Sequence, residues 1–298
     1  MFPAQFDYYK ASSVSEALDL MEEHADEETE ILAGGHSLLP TMKSGLASPD
    51  ALIDISGIDA ISGIETNGDE TTIGATTNYV DVIDSSELAE NVSVFPSAVE
   101  QVGDVQVRNR GTIGGNLAHA DPASDLPAAA LAADATIVVE GRDGEREIPV
   151  DDFFLGMYAT DVAEDELLTG VRLPNAPDVG GAYAKKPSPS SGYAMVGVAA
   201  ALEVDGDEVT SARVAANGVM DHGVRLEPVE DALVGESADE DAIADAADHA
   251  GDDLDEMLMM DDVQASADFR AHLLTVYTKR ALGTAVERAR GDGPAAAD

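Results

Sequence analysis

The 298-residue chain contains no cysteine. It therefore supplies no thiolate to an iron–sulfur cluster, forms no disulfide and has no cysteine nucleophile. A flavin held through a cysteinyl bond is excluded as well. Cations are scarce: 16 Lys and Arg, five of them lysines, stand against 59 Asp and Glu, for a formal net charge of −43. No basic stripe exists, so most of the surface would repel a nucleic-acid backbone. The acidity is spread along the chain among hydrophobic residues that make up 44% of it, which argues for a globular protein rather than a disordered one. Such a charge suits very high salt, where self-repulsion is screened, and predicts a halophilic setting. No apolar run reaches the roughly 18 residues of a membrane span. The start, Met1 to Tyr9, lacks a basic region followed by an apolar core, so no export signal is read and a cytoplasmic location is expected.

Several catalytic signatures are also missing. There is no G-x-G-x-x-G, no G-x-x-x-x-G-K-[ST] and no G-x-S-x-G, which argues against a doubly wound dinucleotide fold, a P-loop NTPase and a serine hydrolase. The six histidines never fall three to five residues apart, and no H-E-x-x-H occurs. Acidic pairs such as Asp252-Asp253 and Asp261-Asp262 lack a calcium-loop pattern and read as solvated surface.

What is present is a mixture of short strands and helices, an α+β chain without a regular βαβ succession. Residues 13–25 show helical spacing with Ser15 as a candidate cap. Residues 31–33, 51–55, 135–140 and 166–173 read as strands, and 61–65 with 71–75 read as a hairpin about Asn67-Gly68-Asp69. Short helices are expected at 80–85 and 88–94, and an alanine-rich one at 126–135. Leu173-Pro174-Asn175-Ala176-Pro177-Asp178 and Gly180-Gly181 suggest a boundary, placing one domain over 1–175 and a second over 176–290. In the second, 196–204 and 209–217 form a hairpin about Asp205-Gly206-Asp207, followed by helices over 238–251 and 269–290. Residues 291–298 form a fraying tail.

Two glycine-rich segments stand out. The first is Ala33-Gly34-Gly35-His36-Ser37-Leu38, after a short strand. The second is Arg110-Gly111-Thr112-Ile113-Gly114-Gly115-Asn116. Paired glycines permit dihedrals other residues avoid and let successive backbone N–H groups approach an anion. Either segment alone is equally a tight turn; together they could clamp a diphosphate. Tyr193 reads either as a sheet-edge anchor or as a ring packed on a flat cofactor. Lys185 and Lys186 are conspicuous in so lysine-poor a chain; a cation beside a buried anion is one reason to keep one, and a surface accident is the other.

The two segments lie roughly 80 residues apart. With Asp121-Pro122-Ala123-Ser124-Asp125-Leu126-Pro127, Glu166-Leu167-Leu168, Tyr183-Ala184-Lys185, Gly192-Tyr193-Ala194 and Tyr277-Thr278-Lys279-Arg280, they resemble the FAD-binding medium subunit of the molybdenum hydroxylases. Aerobic carbon monoxide dehydrogenase and xanthine dehydrogenase belong to that family, and the resemblance covers nearly the whole chain. It implies a two-part FAD-binding module of the vanillyl-alcohol-oxidase (PCMH) type, then a small α+β domain with a three-stranded antiparallel sheet and helices. It implies that Leu32, Ala33, Gly34, Gly35, His36, Ser37 and Leu38, with Thr112, Ile113, Gly114, Gly115 and Asn116, hold the FAD diphosphate through backbone N–H groups and short side chains. Asp121 and Asp125 would accept from ribityl or sugar hydroxyls, and Thr76 and Thr77 would lie nearby. Leu167 or Leu168 would pack at the isoalloxazine, Lys185 would contact the cofactor region, and Tyr193 would stand over the ring.

The function so implied is electron transfer. A large partner carries the molybdenum cofactor and oxidises the substrate. A small partner carries two [2Fe–2S] clusters that feed FAD, and the whole is a dimer of heterotrimers. No residue of this chain is then expected to act as acid or base on the organic substrate. Alternatives are a self-contained flavin oxidase and a non-catalytic assembly scaffold.

Overall fold

A computed structural model describes residues 2–291 in three lobes. Of the tail expected to fray, 292–298 lies outside the described residues. The first lobe is small. Strand β1 (Asp7–Lys10), helix α1 (Val14–Glu23), β2 (Thr29–Leu32), α2 (Leu38–Ser44) and β3 (Ala51–Asp54) form a parallel sheet in the order β1-β3-β2, flanked by helix. The cap of α1 is Ser13, not Ser15. Ser13 has extended dihedrals, its hydroxyl accepts from Glu16 N at 3.1 Å, and the Glu16 carboxylate reaches back to Ser12 N at 2.8 Å. Ala17 and Leu18 of α1 pack on Ile53, Ile55, Ile58 and Ile61.

The second lobe is built on an antiparallel sheet. Strands β4 (Ile64–Asn67) and β5 (Glu70–Gly74) form the expected hairpin, with Gly68 at φ 60° in a two-residue turn. Six short helices follow: α3 (Tyr79–Ile83), α4 (Ser86–Asn91), α5 (Val94–Val99), α6 (Val105–Arg108), α7 (Ile113–His119) and α8 (Leu126–Ala132). The chain then returns through β6 (Thr136–Gly141), β7 (Gly144–Pro149), the small hairpin β8 (Phe154–Gly156) and β9 (Ala159–Thr160), and β10 (Leu167–Pro174). The sheet order is β4-β5-β10-β6-β7. Helix α5 escaped the sequence pattern because all six of its residues are buried, so no polar face marks its period.

The third lobe begins at β11 (Gly180–Pro187), continues through β12 (Ala194–Asp205), β13 (Glu208–Asn217) and the two-residue β14 (Val224–Arg225), and ends in α9 (Glu227–Leu233), α10 (Glu240–Asp248) and α11 (Ala267–Ala289). Its sheet has four strands rather than three, because β14 adds a short edge to β13. The Gly180-Gly181 pair is not a loop. It opens β11, where a Cβ on Gly180 would lie 2.1 Å from Ala285 O in α11, and one on Gly181 would lie 2.2 Å from Val94 N in α5. These glycines let one strand lie between two helices and join the third lobe to the second. Among the described residues no helix is long and apolar enough to cross a membrane.

Candidate functional site

A cleft of about 940 Å³ runs between the first and second lobes and is closed at one side by the third. That is at the upper end of the usual size of a cofactor site, about 300–1,000 Å³. The two glycine segments meet along it. A Cβ on Gly34 would lie 2.3 Å from Arg110 O and 2.8 Å from Gly111 Cα, and one on Gly115 would come within 3.4 Å of Ala33 Cβ. Backbone touches backbone here, which no side chain allows.

The two segments are not equivalent. In the first, Gly35 takes φ 73°, a region that favours glycine. The carbonyls of Gly35 and Ser37 accept from Leu39 and Thr41 at the start of α2. The N–H groups of Gly34, Gly35, His36, Ser37 and Leu38 find no acceptor among the described residues. These five successive donors belong to partly exposed residues on the cleft lining, where water or a bound anion accepts from them.

The second segment differs from the free loop expected. Gly114 and Gly115 occupy the first turn of α7, capped by Thr112, whose hydroxyl accepts from Gly115 N at 3.3 Å. Ile113 N donates to Thr77 O at 3.0 Å, Gly114 N to Ala75 O at 2.9 Å and Asn116 N to Thr112 O at 3.1 Å. Of the backbone donors expected there for a diphosphate, those of Ile113, Gly114, Gly115 and Asn116 are thus engaged within the protein. Asn116 is engaged as well: its amide donates to Tyr79 OH at 2.9 Å and accepts from Ser124 OH at 2.7 Å. Burial holds the Tyr79 phenol well above its usual range, so it remains protonated. This segment contributes shape, and the first contributes donors.

The cleft gathers Ala33, Gly34, Gly35, His36, Ser37, Leu38, Thr112, Gly114, Gly115, Asn116, Asp121, Leu167, Leu168 and Tyr193 on one wall or another. Leu32, Thr76, Thr77, Ile113, Asp125 and Lys185 are not on its lining. Thr76 OH donates to Ile61 O at 2.9 Å and Thr77 OH to Gly63 O at 3.0 Å, so both hydroxyls brace the turn before β4. Asp125, expected beside a sugar, is buried against Lys185 and Tyr183: Lys185 Nζ lies 2.8 Å from its Oδ2, and Tyr183 OH donates to its Oδ1 at 2.6 Å. The buried anion that explains Lys185 is thus the protein's own carboxylate.

Tyr193 is 42% exposed at the mouth. Burial of its ring and the nearby Asp121 charge raise its phenol pKa, and the Ser37 hydroxyl partly offsets them. Leu167 and Leu168 are buried at the start of β10, just before a bulge that lets Thr169 O accept from Ala75 N at 2.9 Å.

Three lining groups had no sequence signal. Tyr79 packs beneath Gly111. Tyr158 sits at φ 57°, donates its N–H to Ala120 O at 3.1 Å and tilts against His119 at 5.1 Å between ring centroids. Glu27, Glu28 and Glu30 make one end of the cleft acidic, a feature hidden in a sequence acidic everywhere. Burial first, then Glu28, raises the Glu30 pKa, while His119 lowers it. A carboxylate whose folded pKa is raised destabilises the fold above that pKa, and protonation relieves the penalty as pH falls. Glu30→Gln is therefore expected to raise the melting temperature of the flavin-free chain at pH 7. The gain should vanish as pH falls toward the ordinary glutamate range, as read by thermal melts across pH.

The sequence model of the family described as FAD binding domain in molybdopterin dehydrogenase matches residues 4–176. That of the CO dehydrogenase flavoprotein C-terminal domain matches 181–285. The chain belongs to the FAD-binding subunit family of the molybdopterin dehydrogenases. The carbon monoxide dehydrogenase medium chain of Hydrogenophaga pseudoflava is 36% identical over 97% of this chain and 99% of its own length. The glyceraldehyde dehydrogenase medium chain of Sulfolobus acidocaldarius is 33% identical over 95% and 99%. A solved structure of the Hydrogenophaga pseudoflava carbon monoxide dehydrogenase, lacking the Mo-pyranopterin moiety, superimposes with a TM-score of 0.92 at 37% identity over 97% and 99%. The chain is thus a flavoprotein subunit of a multi-subunit oxidoreductase family, and its cofactor is FAD. The residues present fit that cofactor: the N–H groups of Gly34 to Leu38, without a protein acceptor among the described residues, lie on the cleft lining where Gly34 and Gly111 let the two segments meet backbone to backbone.

Proposed function

We propose that this chain is the electron relay of a molybdenum hydroxylase, placed between the [2Fe–2S] clusters of a small partner and an external acceptor. A large partner with the molybdenum cofactor would oxidise the substrate. The observation that carries the binding half of this reading is the row of N–H groups from Gly34 to Leu38, on the cleft lining and without a protein acceptor among the described residues. The relay half is consistent with a chain without cysteine, in which any cluster that feeds the flavin takes its thiolates from a partner. Bound FAD supplies one- and two-electron redox chemistry.

In this reading the N–H groups of Gly34 to Leu38 hold the diphosphate, with charge-assisted bonds suited to its two negative charges. Gly115 and Thr112 form the facing wall. Asp121, whose Oδ1 already accepts from Ala123 N at 2.9 Å, offers its other oxygen to a hydroxyl. Leu167 and Leu168 give the ring an apolar bed, and Tyr193 limits its access to water. Curated relatives at 36% and 33% identity are named for carbon monoxide and for glyceraldehyde, so identity at this level selects no substrate. The choice would lie in the large partner.

The test is to isolate the complex from its native host in high salt, record its absorption spectrum and identify what co-purifies. Stoichiometric FAD beside a cysteine-rich iron–sulfur chain and a large molybdenum chain is the expected result. FAD with oxidase turnover by this chain alone would replace the relay by a self-contained oxidase. Failure to take up FAD after folding in high salt would leave only a scaffold. We further propose that high salt is the working condition, supported by the net charge of −43, which lies almost wholly outside the core: among the described residues only Asp54, Asp125 and Glu230 are buried carboxylates. The melting temperature is then expected to rise by several degrees as potassium chloride increases toward molar levels, because screening relieves self-repulsion.

A further inference from the structure

Lys185 lies on β11 in the third lobe with its side chain 3% exposed. Its ammonium has three acceptors: Gln101 O at 2.7 Å, Asp125 Oδ2 at 2.8 Å and Gly192 O at 3.1 Å. Three acceptors match the three N–H bonds of an ammonium, so the group is fully satisfied. Charge pairing alone would need only Asp125. The other two bonds go to backbone, one in the second lobe and one in the residue just before Tyr193.

The turn from Ser188 to Tyr193 is otherwise closed on itself. Gly192 N donates to Ser188 O at 2.9 Å, Ser188 N to Tyr193 O at 2.7 Å, and Gly192 takes φ 78°. Immediately after it, Ala194 N donates to Ala123 O at 3.1 Å. Tyr193 is therefore bracketed. On one side the Gly192 carbonyl is tied through Lys185 to Gln101 and Asp125; on the other the Ala194 amide is tied to Ala123. Both anchors belong to the second lobe, whose residues also form the cleft wall beneath the ring.

We propose that Lys185 is a positioning residue that sets Tyr193 over the mouth of the cleft through the Gly192 carbonyl, and that it does not itself contact the cofactor. The proposal rests on the placement of Tyr193 at the cleft; only its flavin readout depends on the proposed FAD role of that cleft.

The test uses the full chain. Lys185→Met removes all three donors at similar length, but it leaves the Asp125 carboxylate buried without its cation. The double variant Asp125→Asn/Lys185→Met removes that charge while keeping an acceptor for Tyr183. Hydrogen exchange of the Ser188, Gly192 and Ala194 amides is measured without FAD, with the centre of β12 as internal reference. In both variants these three amides are expected to exchange about ten-fold faster while the reference holds. With FAD bound, flavin fluorescence is expected to rise in Lys185→Met and in Tyr193→Leu alike, because both withdraw the phenol from the ring. Unchanged exchange at the three amides in the double variant overturns the proposal, whatever happens to the melting temperature. If the parent chain takes up no flavin, the FAD reading of the cleft fails and the exchange result still decides the role of Lys185.

Discussion

Gly34→Ala is expected to weaken FAD binding about ten- to a hundred-fold while the chain remains folded. The added methyl would lie 2.3 Å from the Arg110 carbonyl and 2.8 Å from Gly111 Cα, both backbone atoms with no rotamer to yield. Overpacking of that kind costs about 1–3 kcal/mol, which is the stated range in affinity if relief comes from the ligand-bound geometry. The first lobe has a small core around Ile53 and Ile58 that meets the second lobe at Leu167, so it can shift by a few tenths of an ångström without unfolding. A shift that clears the methyl carries the five N–H donors from Gly34 to Leu38 away from the facing wall at Gly115. The control is Gly283→Ala in α11, where an added Cβ meets nothing within 4 Å. Fluorescence titration of the flavin-free variants checks both. Equal FAD affinity for Gly34→Ala and the parent would show that close contact between the two segments is not what forms the site.

Much of this site was legible because glycine marks backbone requirements. Gly35 and the turns at Gly68 and Gly206 all take positive φ, and the sequence flagged each. Lysine scarcity drew attention to Lys185, and a buried anion does stand beside it. What it did not reveal was that the anion is Asp125, since a contact across 60 residues leaves no local pattern. The second glycine segment was misjudged as a loop for a related reason. Glycines at 114 and 115 are poor helix formers, yet the Thr112 cap and bonds from Ile113 and Gly114 to Thr77 and Ala75 impose a helical turn. Tertiary bonding overrode local propensity, and the same bonding used up the donors that a free loop would have offered. The acidic end at Glu27, Glu28 and Glu30 was invisible because three of 59 acidic residues give no contrast.

The largest loss of stability is expected from Arg270→Met. Arg270 is 2% exposed near the start of α11, and its side chain bonds that end of the helix to the sheet of the third lobe, as Arg288 does at the other end through Gly181 O. Nη1 donates to Met195 O at 2.5 Å and to Gly218 O at 2.7 Å, at the start of β12 and just past the end of β13. Nη2 pairs with Asp262 Oδ2 at 2.8 Å. Methionine fills much of the same volume but donates nothing. The Met195 and Gly218 carbonyls lose their donor, at about 1–3 kcal/mol each, the longer bond from Nε to Ala265 O at 3.4 Å is lost too, and Asp262 loses its counter-charge. The sum is about 3–5 kcal/mol, because Asp262 can turn to solvent and relieve part of it. For a chain of this size that corresponds to a melting point lower by about 5–8 °C. Arg290→Met is the comparison: among the described residues it pairs only with Asp207, 95% exposed, so less than about 0.5 kcal/mol is expected there. Thermal melts of the two variants in the same salt separate the readings. Equal, small losses would mean that the Met195 and Gly218 carbonyls find water once the guanidinium is gone, and that hydrophobic packing alone holds that end of α11 to its sheet.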